Sequence, residues 1–302
     1  MDAKVIYLWH PMNRSFLPWI MFTALVLVWG SSFILMKHAL IAFSAVHIGA
    51  ARIVFAALLT LTFAWPQLKE FRKEDIPAFL IVALLGNSIP YLLFPIAVAH
   101  IPSGVVGITN SMTPLFTLLV GLIVFGRKLR WVRALGVAVG FIGALILINP
   151  LDDHSSVGQS WPYLLLAVLA AACYGVSINT IGDRLKHLSP RAITLFAMLG
   201  ALVPSLGILA ATDFSAQFTG TSEMWSGLAA IAFLGMVGTS LAMVVFNRLI
   251  ATTTPLFAAS TTYVIPIVAL AWGLVFGEEL LYNHYIGMVI ILIGVWMVNR
   301  KA

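Results

Sequence analysis

The sequence predicts an all-α membrane protein of ten transmembrane helices, arranged as two inverted five-helix repeats. Three observations carry that prediction: apolar runs fill the chain, the basic residues gather in alternate loops, and the second half repeats landmarks of the first. Only 9% of the 302 residues are charged and 61% are hydrophobic, whereas a soluble domain carries roughly 25% charged residues. A mean hydropathy of +1.02 is more apolar surface than a water-soluble fold can hide. The net charge of +6 lies in short loops between apolar runs, so it reads as a topology signal and not as a nucleic-acid surface. Cys173 is the single cysteine, which excludes an internal disulfide framework and a cysteine metal site.

Runs long enough for a hydrocarbon core of about 30 Å fall at Phe16–Met36, Val46–Ala64, Ile76–Ala99, Gly104–Phe125, Trp131–Ile148, Pro162–Ile181, Ala192–Ala211, Gly227–Phe246, Leu256–Phe276 and Asn283–Val298. The first run lacks a small-residue cleavage site and reads as a retained span, not a signal peptide. Trp19, Trp65, Trp131, Trp161, Trp225 and Trp296 lie near span ends, where an indole prefers the headgroup region. Of the 17 Lys and Arg residues, 15 fall on the side of the N-terminus, leaving Lys37 at a span end and Arg52 inside a span. The loops opposite carry Asp152, Asp153, Asp213, Glu223, Glu278 and Glu279. Both termini are therefore expected in the cytoplasm, with the chain multi-pass in the inner membrane.

Offsets of 145 to 153 residues align the two halves, 1–150 and 151–302. Trp29-Gly30-x-Ser32 meets Tyr174-Gly175-x-Ser177, Leu85-Gly86 meets Leu234-Gly235, Pro114 meets Pro266, and Phe125-Gly126 meets Phe276-Gly277. Five spans per unit is an odd number, so the second unit enters the membrane from the opposite face, as in many secondary transporters. The residues Trp29-Gly30-Ser31-Ser32-Phe33, Lys37, Arg52, Pro266 and Gly277-Glu278 resemble EamA-type transporters of the drug/metabolite transporter superfamily, over essentially the whole chain. That resemblance implies spans 1–4 and 6–9 around a central cavity, with spans 5 and 10 at the periphery. It also implies carriage of amino acids, nucleosides or related metabolites. One departure is Gly126-Arg127, where the family often has Gly-Glu.

No Asp or Glu falls within a span, which argues for substrate-driven flux with little direct proton coupling. Arg52 and Lys37 need a partner or a wet cavity, and two readings stand: an outer gate in which Glu278 latches Lys37 or Arg52, or cations that snorkel to headgroups over solvated acids. By the repeat correspondence, Asp183 with Arg127 or Lys128 is the candidate inner latch; the alternative is that these cations only obey the orientation rule. Pro114 and Pro266 each remove a helical bond to the carbonyl four residues earlier, at Asn110 and Thr262, and so mark candidate hinges or ligand contacts. Trp29, Asn87, Tyr91, Tyr174, Asn179, Ser240 and Tyr263 complete the candidate substrate path, a set suited to a small neutral or zwitterionic ligand. Interhelical hydrogen bonding is the plainer reading of the same polar residues.

The function expected is a secondary transporter moving small metabolites such as amino acids by alternating access, as an exporter. It acts on a small-molecule substrate within the lipid bilayer, as a monomer or homodimer, with no cofactor, metal or nucleic acid. A lipid-modifying membrane enzyme would need a converging acid, histidine or nucleophile cluster, and the sequence offers none. A non-transporting receptor or scaffold would leave the paired prolines unexplained.

Overall fold

The computed structural model describes residues 16–126, 131–148 and 161–299. Among the described residues the fold is all helix. Eight helical stretches are long and apolar enough to cross a membrane: Leu17–Ala39, Ala45–Glu70, Lys73–Val98, Ser103–Ile123, Trp161–Arg184, Pro190–Ala211, Ser222–Thr252 and Phe257–Val275. The expected fifth and tenth spans fall on two helices whose apolar stretches are shorter, Ala134–Gly143 and Tyr282–Gly294. Large apolar side chains such as Leu58, Val203, Ile267 and Ile286 stand more than half exposed around the bundle, a surface that lipid and not water can cover. Trp19, Trp65, Trp131 and Trp225 are exposed at helix ends, where the interface wants them. The chain is thus a multi-pass membrane protein.

Helix α1 (Leu17–Ala39) leads to α2 (Ala45–Ala64), capped by Ser44, whose hydroxyl accepts from the His47 amide. Next comes α3 (Ile76–Ala83), a π-helical turn at Leu84–Ser88, and α4 (Ile89–Val98). The following span is split into α5 (Ser103–Asn110) and α6 (Thr113–Ile123). After α7 (Trp131–Ile148), the second half runs through α8 (Trp161–Arg184) and α9 (Pro190–Ala211), the latter capped by Ser189 as α2 is by Ser44. It continues with α10 (Ser222–Gly235), a second π-helical turn at Met236–Leu241, and α11 (Ala242–Thr252). A short α12 (Pro255–Ala259), a 3-10 turn at Ser260–Tyr263, α13 (Ile265–Val275) and α14 (Tyr282–Asn299) close the chain. Helices α7 and α14 pack chiefly on each other, where a Cβ at Gly294 would lie 2.4–2.8 Å from backbone atoms of Gly136 and Gly140.

Two sequence expectations change here. Pro114 and Pro266 do not kink continuous helices; each stands at the start of a new helical segment, α6 and α13, after an interruption. A first-turn proline has no helical bond to lose, which is why the chain accepts it there. The Asn110 carbonyl that Pro114 leaves open is taken by the Thr113 hydroxyl at 2.8 Å. The halves also align differently through the π-helical turns, which pair Gly86-Asn87-Ser88 with Gly238-Thr239-Ser240, an offset of 152 residues shared by Pro114 and Pro266. Leu85-Gly86 therefore matches Val237-Gly238, not Leu234-Gly235.

Candidate functional site

A cavity of about 70 Å³ lies between the two halves. Six of the candidates from sequence line it: Trp29, Arg52, Tyr91, Asn110, Tyr174 and Thr262. Its walls are otherwise mostly rings and thioethers, including Phe33, Phe94, Phe246, Met36 and Met243, with the hydroxyls of Ser32, Thr113 and Ser177 as further polar points. The phenylalanine and methionine parts of the wall were not named from sequence, because nothing in an apolar span separates an inward Phe from a lipid-facing one.

Arg52 is the only charged residue in that lining and is 4% exposed. Its Nε donates to Thr239 Oγ1 at 2.8 Å and its Nη2 to the Gly238 carbonyl at 3.4 Å. The guanidinium lies 4.1 Å from the centroid of the Tyr91 ring, a cation–π contact. Helix α2 comes close enough to α4 because Gly49, one turn before Arg52, presses on the Tyr91 backbone where a side chain would collide. Trp29 Nε1 donates to the same Gly238 carbonyl at 2.9 Å. Arg52 is therefore not latched by Glu278; it is held by the second π-helical turn. The reason is geometric: a π-helical turn points carbonyls and side chains out of the regular i→i−4 ladder and leaves them for other donors.

The remaining candidates divide among other roles. Asn87 and Ser88 donate to the carbonyls of Val82 and Ala83, five residues back, at 2.9 and 3.1 Å. Thr239 does the same toward Leu234 at 2.9 Å. Asn179 bridges α8 to α6 through the Thr117 carbonyl at 2.8 Å, and Ser240 bonds Thr60 at 2.7 Å. Asn87, Asn179 and Ser240, with Pro114, Tyr263 and Pro266, do not line the cavity. Interhelical bonds claim Asn179 and Ser240, and a carbonyl of its own segment claims Asn87, since a buried amide or hydroxyl takes the nearest partner.

At one face of the bundle, Lys37 Nζ donates to Glu278 Oε1 at 2.7 Å. The Glu278 side chain is 1% exposed, while that of Lys37 is 45% exposed. The Ser103 amide donates to Oε1 and the Gly104 amide to Oε2, both at 3.0 Å, so the carboxylate also closes the start of α5. Gly277, at φ 72°, turns the chain back after α13 to deliver Glu278 there, and Gly273 leaves it room. Burial pushes the Glu278 carboxyl up, but the bonds from Lys37 and from Gly104 and Ser103 outweigh it and hold the group below its ordinary 4.5. The tie is thus complete at neutral pH and is lost only as pH falls through that lowered value.

The opposite face also carries polar ties. Among the described residues Asp183 forms an ion pair with its neighbour Arg184, at 3.4 Å; the partners expected from sequence, Arg127 and Lys128, lie outside them. The ties found there join the α2–α3 connection to the α8–α9 connection. Glu70 accepts from the Ser189 amide and hydroxyl at 2.9 and 2.8 Å, and His187 Nε2 meets Asp75 Oδ2 at 3.0 Å. Nothing in the sequence marks Glu70 and Asp75, which stand in a loop with Lys69, Arg72 and Lys73.

Residues 17–149 and 161–300 each match the EamA-like transporter family. The uncharacterized inner membrane transporter YedA of Escherichia coli is 25% identical, across 91% of this chain and 88% of its own length. A probable amino-acid metabolite efflux pump of Salmonella typhimurium is 25% identical, across 90% of this chain and 91% of its own. One solved crystal structure superposes with a TM-score of 0.64 at 14% identity, covering 93% of this chain and 95% of that one, a likeness of fold.

Proposed function

The chain belongs to the EamA-like transporter family, and from that premise we propose that it exports small metabolites such as amino acids across the inner membrane by alternating access. The observation that carries this reading is the aromatic-walled cavity between the halves, with ionic or charge-assisted ties at both faces of the bundle. A site reached alternately from two sides needs contacts at each face that can be exchanged, and polar ties in an apolar bundle supply them.

In this reading the halves, 1–150 and 151–302, are inverted five-helix repeats giving ten spans, both termini are cytoplasmic, and the Lys37–Glu278 tie closes the outer face. Flux is driven by the substrate gradient with little proton coupling. The deciding experiment is counterflow of radiolabelled amino acids into vesicles reconstituted with the purified protein. Saturable uptake that persists when the pH gradient is collapsed is expected; no uptake of any amino acid overturns the reading. Thr219 changed to Cys is expected to label from outside the cell, and cytoplasmic protection there overturns the orientation.

A further inference from the structure

We infer that Arg52 is the anchor for a carboxylate, so that the transported metabolites are monoanionic or zwitterionic acids with an apolar body, and amines or esters of the same shape are refused. The inference rests on the transporter reading above and narrows it to a substrate class.

Three observations converge on Arg52. It is a buried cation, and no carboxylate among the described residues pairs with it. A charge buried without a counter-ion is costly, so a fold keeps one where something else completes it. Secondly, its bonds are incomplete on the side that matters: a guanidinium offers five N–H donors, and only Nε and one Nη2 hydrogen are committed, the latter at a long 3.4 Å. Nη1 has no hydrogen-bond partner among the described residues. Thirdly, the side chain is fixed by Thr239 on one edge and by Tyr91 on one face, so its free fork is oriented before a ligand arrives. A planar fork with two adjacent free donors suits the two oxygens of a carboxylate.

The rest of the cavity sets the limits of the class. Its lining holds no acid to meet an ammonium group, only hydroxyls and the Asn110 amide. An amine lacking the carboxylate would bring a second positive charge beside Arg52. A dianionic phosphate would bring one negative charge more than Arg52 neutralises into a site walled by Trp29, Phe33, Tyr174 and Phe246. One cation and apolar walls fit one carboxylate on a hydrophobic body.

The test is a ligand series on the unaltered protein in detergent, read by calorimetric binding and, in vesicles, by competition with amino-acid counterflow. The probes are phenylalanine, phenylacetate, phenylalanine methyl ester, phenethylamine and phenyl phosphate. Phenylalanine and phenylacetate are expected to bind, and the ester and amine to be weaker by about tenfold to a hundredfold, the loss that charge-assisted hydrogen bonds represent. Ester or amine binding as tight as the acids overturns the inference, as does phenyl phosphate binding more tightly than phenylacetate, or no acid binding at millimolar concentration. R52K is expected to keep weakened acid binding and R52Q to abolish the preference for acids over esters; R52Q retaining that preference overturns the inference. Acid-selective binding without flux supports the inference while removing the transporter reading, and flux without acid selectivity does the reverse.

Discussion

The two π-helical turns, Leu84–Ser88 and Met236–Leu241, share a backbone irregularity and a Gly-polar-Ser sequence, yet only the second is charged with a task. Both turn their glycine toward a serine of the opposite half: Gly86 tightly against Ser177 of α8, Gly238 more loosely toward Ser32 of α1. In both, the next residue sends a side-chain hydrogen bond to the carbonyl five back. The divergence is in what arrives from the neighbouring helix. Arg52 of α2 lies on the Met236–Leu241 turn and uses Thr239 Oγ1 as acceptor. At the 145-residue offset that relates Ser44 to Ser189, the position matching Arg52 is Ala197, a small buried residue. Asn87 Oδ1 is accordingly left buried with no hydrogen-bond partner among the described residues. The difference teaches that the fold supplies two equivalent irregular segments and that a single side chain, Arg52, gives one of them a charged partner that the other lacks.

Thr239→Ala tests that difference most severely. It removes the acceptor that fixes Arg52, and hydrogen bonds to charged groups are worth about 1.5–3 kcal/mol. Thermal unfolding in detergent is expected to fall by that order, with Thr239→Ser restoring it. Asn87→Ala, the matching change in the other turn, is expected to cost less than about 1 kcal/mol, because the amide it deletes has one bond and one orphaned oxygen. Equal losses at both sites would mean that Arg52 draws nothing from Thr239.

A smaller effect separates the glycines. A Cβ at Gly86 would collide with the Ser177 hydroxyl and still lie 3.1 Å from Ser177 Cβ after that hydroxyl rotated away. A Cβ at Gly238 meets Ser32 Oγ at 3.5 Å, an ordinary contact. Gly86→Ala is expected to destabilise by about 1–2 kcal/mol, overpacking offset in part by helix propensity, and Ser177→Gly to rescue it in the double mutant. Gly238→Ala is expected to stay within about 0.5 kcal/mol. Unfolding midpoints of the four variants decide it, and a silent Gly86→Ala shows that α8 can move.

The spans were legible because hydropathy over about twenty residues is a strong signal, and the cavity was legible wherever a polar or aromatic side chain interrupted an apolar run, as at Trp29, Arg52, Asn110 and Tyr174. The π-helical turns were not. Leu84–Ser88 reads as uninterrupted helix, and its register shows only when Gly86-Asn87-Ser88 is set against Gly238-Thr239-Ser240 at the offset of the two prolines. Asn179 and Ser240 looked like ligand contacts because sequence cannot tell an amide facing a cavity from one that has found the Thr117 carbonyl or the Thr60 hydroxyl across a helix pair. Glu278 stood out as an acid beside a span end, but its three donors come from α1 and α5, a convergence only the packed bundle displays.

The last expected effect is a gain. Asn87 is fully buried, and its Nδ2 bond to the Val82 carbonyl at 2.9 Å fixes which end of the amide carries the oxygen. Asn87→Thr copies the second turn into the first: the hydroxyl keeps the bond to the carbonyl five back, as Thr239 shows it can, and the orphaned oxygen is gone. Deleting an unpaired buried acceptor recovers part of its desolvation cost of about 1–3 kcal/mol, and the slight loss of packing takes some back, so a net stabilisation of about 0.5–1 kcal/mol is expected. Unfolding midpoint and initial flux should be measured together. If the variant is stabilised and transports normally, Asn87 is a structural residue and the two turns differ only through Arg52. A variant that is stabilised but slow places Asn87 Oδ1 in the transport cycle, as an acceptor used in a conformation other than this one. Destabilisation by more than about 1 kcal/mol breaks the comparison itself, because an oxygen whose removal costs that much has a partner.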